Sequence, residues 1–284
     1  MVAAFLIEYS FYLVPAFPSV REHVSGRGVP AFALAVAVLP YLACCCGAVQ
    51  FEWGGLARVI AVALALSLWY AVLPASRVTD IAFLGLVAAV LLGRYFNPIY
   101  TPLHPNFKEL KNVIVIPHLS LISMAVMALM LQRRVSETGY GFVPSNREWR
   151  IGLLYFCYFV PIGLPLALLL HATHFATPKP VWYIAGTFVG MFCVLSLSEE
   201  FFVRGVLQQW IEDWTLSRTG ALLITSAIFG LLHLWLGGFP NLKWALVAGV
   251  LGWFCGRARN QAGSIRASMV THALVATTWR AFFA

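Results

Sequence analysis

The chain has 284 residues, of which 61 % are hydrophobic and only 11 % charged, with a mean hydropathy of +0.81. Such a composition excludes a water-soluble globular protein. The net charge of +8 comes from nineteen Lys and Arg scattered at the ends of apolar runs; no basic stripe is interleaved with aromatics, so no nucleic-acid partner is expected.

Apolar runs of roughly 17 to 25 residues are the length that crosses a hydrocarbon core of about 30 Å as helix. In chain order they fall at 3–19, 30–50, 56–74, 79–95, 113–131, 151–171, 181–199, 220–237, 242–257 and 264–283. The first carries Glu8, and the seventh continues as an amphipathic helix to about residue 214. The pattern predicts an all-α, polytopic transmembrane helical bundle of about 8–10 membrane segments. Two long polar connections interrupt it: RYFNPIYTPLHPNFKELKN (94–112), loop-like through its three prolines, and QRRVSETGYGFVPSNREWR (132–150).

Lys and Arg favour one side of the later segments. Arg133, Arg134, Arg147, Arg150, Arg218, Arg257, Arg259 and Arg266 fall on one side, against Lys179, Lys243 and Arg280 on the other. The first side is expected to be cytoplasmic in a multi-pass protein of the cell's inner or plasma membrane. The six cysteines form no CxxC pair and no Cys/His metal spacing; Cys44, Cys45 and Cys46 lie within an apolar run and read as small buried hydrophobes. No removable signal peptide is expected, because the N-terminus lacks a basic segment and a small-residue cleavage site. His104, His118, His171 and His174 fall in loops or at predicted span ends and read as structural.

The stretch SEEFFVRG, Ser198–Gly205, breaks a long uncharged run with two glutamates and an arginine. An ionised side chain near the bilayer centre costs at least about 2.5 to 3.5 kcal/mol, so such groups pair or line a hydrated cavity. Glu200 and Arg204 are four apart, in the order that suits an ion pair on one helical face. On a regular helix Glu199 points about 100° away and is left free to work. His233, in SAIFGLLHLWLGG with Phe229 one turn before it, and His272, in SMVTHALVATTW, are the other polar intruders. At about 1.5 Å per residue, Glu199, His233 and His272 lie about 22, 20 and 12 Å from the same predicted membrane edge, differences that helix tilt absorbs. One carboxylate and two imidazoles can therefore meet in one cavity. There a glutamate can deprotonate a water while imidazoles orient it or stabilise an oxyanion.

EEFFVR (Glu199–Arg204), FGLLH (Phe229–His233) and THAL (Thr271–Leu274) resemble the EExxxR, FxxxH and HxxxN motifs of the CAAX protease and bacteriocin-processing enzyme family, which includes type II CAAX prenyl endopeptidases. The likeness covers about residues 181–284. It implies that residues 151–284 form a catalytic helical core and that residues 1–150 are N-terminal transmembrane helices without an assigned role. It further implies an intramembrane glutamate protease acting on a membrane-anchored protein or peptide within the lipid bilayer. Glu199 would be the base, His233 would hold the water, His272 would contribute to the oxyanion site, and Glu200 with Arg204 would support them. Ala276 stands where the family pattern has Asn; loss of one oxyanion donor costs about 10²- to 10³-fold in a well-studied protease.

Three other readings stay open. The likeness is also consistent with a catalytically impaired, membrane-embedded binding or maturation partner, and intramembrane Glu and His residues also suit a proton-coupled transporter. No cofactor is expected, but two glutamates and two histidines are ordinary zinc ligands, and zinc is the alternative mechanism. Against zinc, no HExxH is present, and adjacent glutamates on a regular helix do not aim at one ion.

Overall fold

The computed structural model describes residues 2–24, 28–103, 115–135 and 138–283. Among them the structure is helical, with two isolated bridges, Val49 to Pro102 and Phe175 to Phe283, and no β-strand. Nine of the ten predicted segments each hold one main helix among the described residues, and the first holds two. Six helices are long and apolar enough to cross a membrane: Gly28–Cys45, Trp53–Val72, Val115–Gln132, Asn146–Leu169, Val181–Thr215 and Arg218–Trp235. The protein is thus an all-α, polytopic integral membrane protein. The first and fourth predicted segments form shorter helices, and the last two carry more charged and polar side chains. Part of the predicted loop 94–112, with His104, lies outside the described residues.

The chain forms two compact units, Met1–Ser136 and Glu137–Ala284. The first contains α1 (Val2–Leu13), α2 (Pro18–Val24), α3 (Gly28–Cys45), α4 (Trp53–Val72), α5 (Arg77–Leu92) and α6 (Val115–Met127), the last prolonged by a π turn to Gln132. Predicted segment 3–19 is therefore two helices; a tight turn at Val14–Ala16, set by Pro15, ends the first. Helix α6 is the centre of this unit, two-thirds buried, with α1, α3, α4 and α5 packed against it. Ser120 on α6 explains how Glu8 is tolerated: its hydroxyl donates to Glu8 Oε2 at 2.6 Å, and the carboxylate is fully buried. At one end of the unit Arg133 grips Asp80 of α5 with two hydrogen bonds of 2.7 and 2.8 Å, a bidentate fork joining α5 to the end of α6.

The second unit contains α7 (Asn146–Leu169), α8 (Val181–Thr215), α9 (Arg218–Leu232), α10 (Leu242–Ala262) and α11 (Ile265–Phe282). Helix α11 is its most buried element and touches α7, α8 and α10. Glycine permits the closest approach: a Cβ at Gly152 of α7 would lie 2.5 Å from Val270 Cβ of α11, and Thr271 Oγ1 donates to the Gly152 carbonyl at 2.9 Å. Phe159, Phe229, Val247, Leu251 and Val275 form the apolar core between the helices.

Helix caps gather the charged ends on one side. Ser145 and Glu148 form a capping box at the start of α7, and Glu148 accepts from Arg266 Nε near the start of α11 at 3.1 Å. Glu212 on α8 meets Arg259 of α10 at 3.1 Å, and Arg147 donates to the Gln261 carbonyl at 3.1 Å. Arg218 at the start of α9 lies 3.9 Å from Glu212, so five helix termini share one polar, basic end. At the opposite end Phe175 pairs with Phe283, and Lys179 N–H donates to Ala281 O at 3.0 Å. This end carries the exposed aromatics Trp182, Trp235 and Phe239, which suit a membrane interface.

Candidate active site

Helix α8 is not regular where its charges lie. It is π-helical over Met191–Ser196, returns to α for the single turn Leu197–Glu200, and is π-helical again over Phe201–Leu207. A π turn inserts an extra residue and rotates every side chain beyond it relative to an uninterrupted α-helix; such bulges are frequent at functional sites. The two glutamates sit on the short turn between two such stretches. Adjacent on that turn, they approach the same imidazole from different sides, Glu200 at one ring nitrogen and Glu199 at the other.

That imidazole is His272 of α11, 4 % exposed. Its Nδ1 lies 2.9 Å from Glu200 Oε1, and its Nε2 lies 3.8 Å from Glu199 Oε2. An ionised carboxylate only accepts hydrogen bonds, so Nδ1 carries the proton facing Glu200. In the neutral ring, Nε2 then turns a lone pair toward Glu199. The two carboxylates differ sharply in surroundings: the Glu200 side chain is fully buried, whereas that of Glu199 is 32 % exposed. Glu199 Oε2 has no hydrogen-bond partner among the described residues.

Arg204 supplies the charge opposite Glu200. It is fully buried, with Nε 3.4 Å from Glu200 Oε2, and its Nη1 lies 3.3 Å from Thr225 Oγ1 on α9. Its guanidinium carbon stands 5.3 Å from the centre of the Phe229 ring, a cation–π distance. The pair predicted from the four-residue spacing is present, although its 3.4 Å contact lacks hydrogen-bond geometry. Gly252 of α10 leaves room for it: a Cβ there would stand 3.2 Å from Arg204 Nη2.

Phe229 is the hinge between the two histidines. Its ring meets His272 edge-on at 5.6 Å and His233 at 4.7 Å, so the two imidazole centres lie no more than about 10 Å apart. His233 begins the tight turn that ends α9, and its Nδ1–H donates to the Phe229 carbonyl at 2.8 Å. That bond leaves Nε2 of His233 as the other unprotonated ring nitrogen of the site. The ring is partly exposed, at the edge of the buried cluster rather than inside it. The structure thus brings Glu199, Glu200, Arg204 and His272 into one contact network, and joins His233 to it through Phe229.

Cys255 of α10 escaped sequence reasoning. It is buried, and its sulfur lies with a Glu200 oxygen and a His272 nitrogen in a group of atoms within 4.8 Å of one another. Thr225, which receives Arg204, was missed as well, and no spacing rule links it to a residue on another helix. Ala276 is buried, and its carbonyl accepts from Arg280 Nη1 at 3.3 Å. Thr277 next to it is also buried, and its hydroxyl has no partner among the described residues.

Fold and site together define a polytopic helical membrane protein whose second unit buries a glutamate pair, an arginine and a histidine in mutual contact. Residues 180–278 of the chain match the family model described as type II CAAX prenyl endopeptidase Rce1-like. The matched segment runs from the start of α8 into α11 and contains all three motifs. No curated protein and no solved structure matches the chain.

Proposed function

We propose that the protein is an intramembrane endopeptidase that hydrolyses a peptide bond in a membrane-anchored protein or peptide, near the cytoplasmic face of the inner or plasma membrane. The observation that carries this reading is the placement of Glu199 and His272 Nε2, 3.8 Å apart. A water at the apex above them, at the usual hydrogen-bond distance of about 2.8 Å from each, donates one proton to the carboxylate and one to the imidazole. Its oxygen lone pairs then point away from both, toward a substrate carbonyl.

In the reaction Glu199 takes a proton from that water as its oxygen bonds to the carbonyl carbon, and the carbonyl oxygen becomes the oxyanion. The proton then passes to the departing amine as the C–N bond breaks. Glu200 holds His272 in the tautomer that leaves Nε2 unprotonated, and Arg204 keeps Glu200 ionised and in place. These are positioning roles. His233, at the outer edge of the cluster, meets the substrate side. With Ala276 where the family pattern has Asn, one expected oxyanion donor is missing, and a slow enzyme follows.

A zinc site is the second reading, because Glu200, Cys255 and His272 bring three donor types within 4.8 Å. Arg204, 3.4 Å from Glu200, opposes it, since a guanidinium beside a ligand carboxylate repels a divalent cation. We favour the metal-free route. The test uses the full chain in liposomes with a membrane-anchored peptide library. Cleavage products that disappear in Glu199→Gln and in His272→Ala, and that survive a strong chelator, support the proposal. Loss on chelation with recovery on adding zinc replaces it with the metal mechanism. Substrate retention without products identifies a binding partner, and proton-coupled flux without products identifies a transporter.

A further inference from the structure

At the basic end of the second unit lies a cavity of about 640 Å³ lined by Asn146, Arg147, Arg150, Ile151, Leu154 and Gln261. Five of these belong to α7, at positions that recur every three or four residues and so form one stripe along the helix. Gln261 closes the cavity from the last turn of α10. The stripe changes character along its length: two guanidiniums stand at the helix start, and Ile151 and Leu154 follow within the next turn. Arg147 and Arg150 are three apart on the same face, where side chains meet.

Among the described residues, nothing neutralises the charge at this place. Arg204, Arg218, Arg259 and Arg266 are each within 4 Å of a glutamate. Arg147 and Arg150 face no carboxylate among the described residues; Arg147 reaches only the main-chain oxygen of Gln261. Glu148, their neighbour in sequence, is turned the other way, buried against Ser145 and Arg266. Both arginines are exposed. They mark the first turn of a helix long and apolar enough to cross the bilayer, Asn146–Leu169. Two guanidiniums without a carboxylate partner among the described residues, at the start of a membrane-length helix, followed by the exposed Leu154 beside the buried Ile151, match an anionic phospholipid from both ends.

We propose that this cavity is a binding site for one anionic phospholipid, its phosphate held between Arg147 and Arg150 and the top of an acyl chain laid along Ile151 and Leu154. Guanidinium is the group suited to bidentate phosphate recognition, and basic pockets at the cytoplasmic ends of membrane helices favour such headgroups. Neither arginine belongs to the proposed catalytic network, so the inference stands apart from the hydrolase reading.

The experiment is native mass spectrometry of the full chain, stripped of lipid in neutral detergent and titrated with phosphatidylglycerol or phosphatidylcholine. The wild type is expected to hold one phosphatidylglycerol in clear preference to phosphatidylcholine. Arg147→Gln with Arg150→Gln is expected to bind it roughly thirtyfold more weakly, since each basic residue at the surface contributes about 1 kcal/mol toward an anionic lipid. A control that removes two exposed charges elsewhere, Arg58→Gln with Lys179→Gln, retains the preference. Arg147→Lys with Arg150→Lys keeps the charge but loses the fork, and an intermediate affinity supports the site even where the glutamine variant fails to fold. Equal weakening in the control, equal binding of both lipids by the wild type, or equally tight binding of soluble glycerol phosphate would overturn the proposal.

Discussion

Replacing Arg204 by methionine keeps most of the side-chain volume and removes the charge, which makes it the sharpest test of how the site is held. Glu200 is fully buried, with Arg204 at 3.4 Å, His272 at 2.9 Å, and the Ser268 hydroxyl and Cys255 thiol also beside its carboxylate. Without the guanidinium, the carboxylate remains in the interior of the bundle with no permanent cation beside it. Breaking a buried pair from one side costs about 3 to 5 kcal/mol, because it leaves a charge uncompensated. The lost contact over Phe229 adds up to about 2 kcal/mol. At roughly 2 to 4 °C per kcal/mol for a unit of this size, the melting temperature in detergent should fall by about 6 to 28 °C. Adding Glu200→Gln to Arg204→Met removes the stranded charge, and the double variant should recover most of that loss. Its peptide cleavage should not recover, because His272 Nδ1 then faces an amide that no longer fixes the ring tautomer. Thermal unfolding and product formation, measured on the same preparations, separate the two effects. A single variant that melts within 2 °C of the wild type, taken as roughly the smallest resolvable step, or a double variant less stable than the single, would refute the argument that Arg204 acts by neutralising Glu200.

Two further substitutions probe packing and chemistry. Gly230→Ala puts a methyl group 2.5 Å from the Ala245 carbonyl oxygen and 3.2 Å from Gly249 Cα, forcing α9 away from α10, and should cost about 1 to 3 kcal/mol by thermal unfolding. Gly186→Ala on α8, where an added methyl meets nothing within 4 Å, should leave the melting temperature unchanged or raise it slightly. Ala276→Asn restores the donor that the family pattern carries, and should raise kcat by at least about tenfold with little change in KM. An unchanged kcat in a well-folded variant means that position 276 does not face the reacting carbonyl.

How much of this was legible in the sequence depends on which signal each element carries. The ten segments were readable because membrane helices advertise themselves by length and apolarity alone, and every predicted run is helical. What composition does not encode is where a helix pauses. Pro15 divides the first run into two helices, and Pro40, Pro161 and Pro165 lie inside helices that continue past them. The depth argument placed Glu199 and His272 at one level although their distances from the membrane edge differed by several ångströms. The structure resolves that difference through contact, with 3.8 Å between the two side chains. Glu200 with Arg204 was readable because the partners share a helix. Thr225 and Cys255 were not, because contacts between helices depend on rotation about each axis, and a single sequence carries no measure of it.

The π turns on either side of Glu199 and Glu200 are a feature of α8 that composition does not announce. Adjacent residues on a helix diverge by about 100°, and the two glutamates address opposite nitrogens of one ring. The arrangement divides the work by burial. The carboxylate on the fully buried side is tied to Arg204 and Nδ1, so its charge fixes a tautomer and is not available as a base. The carboxylate on the Nε2 side is one-third exposed and its inner oxygen has no hydrogen-bond partner among the described residues. In the proposed mechanism the base must reach water, and of the two side chains only that of Glu199 is exposed.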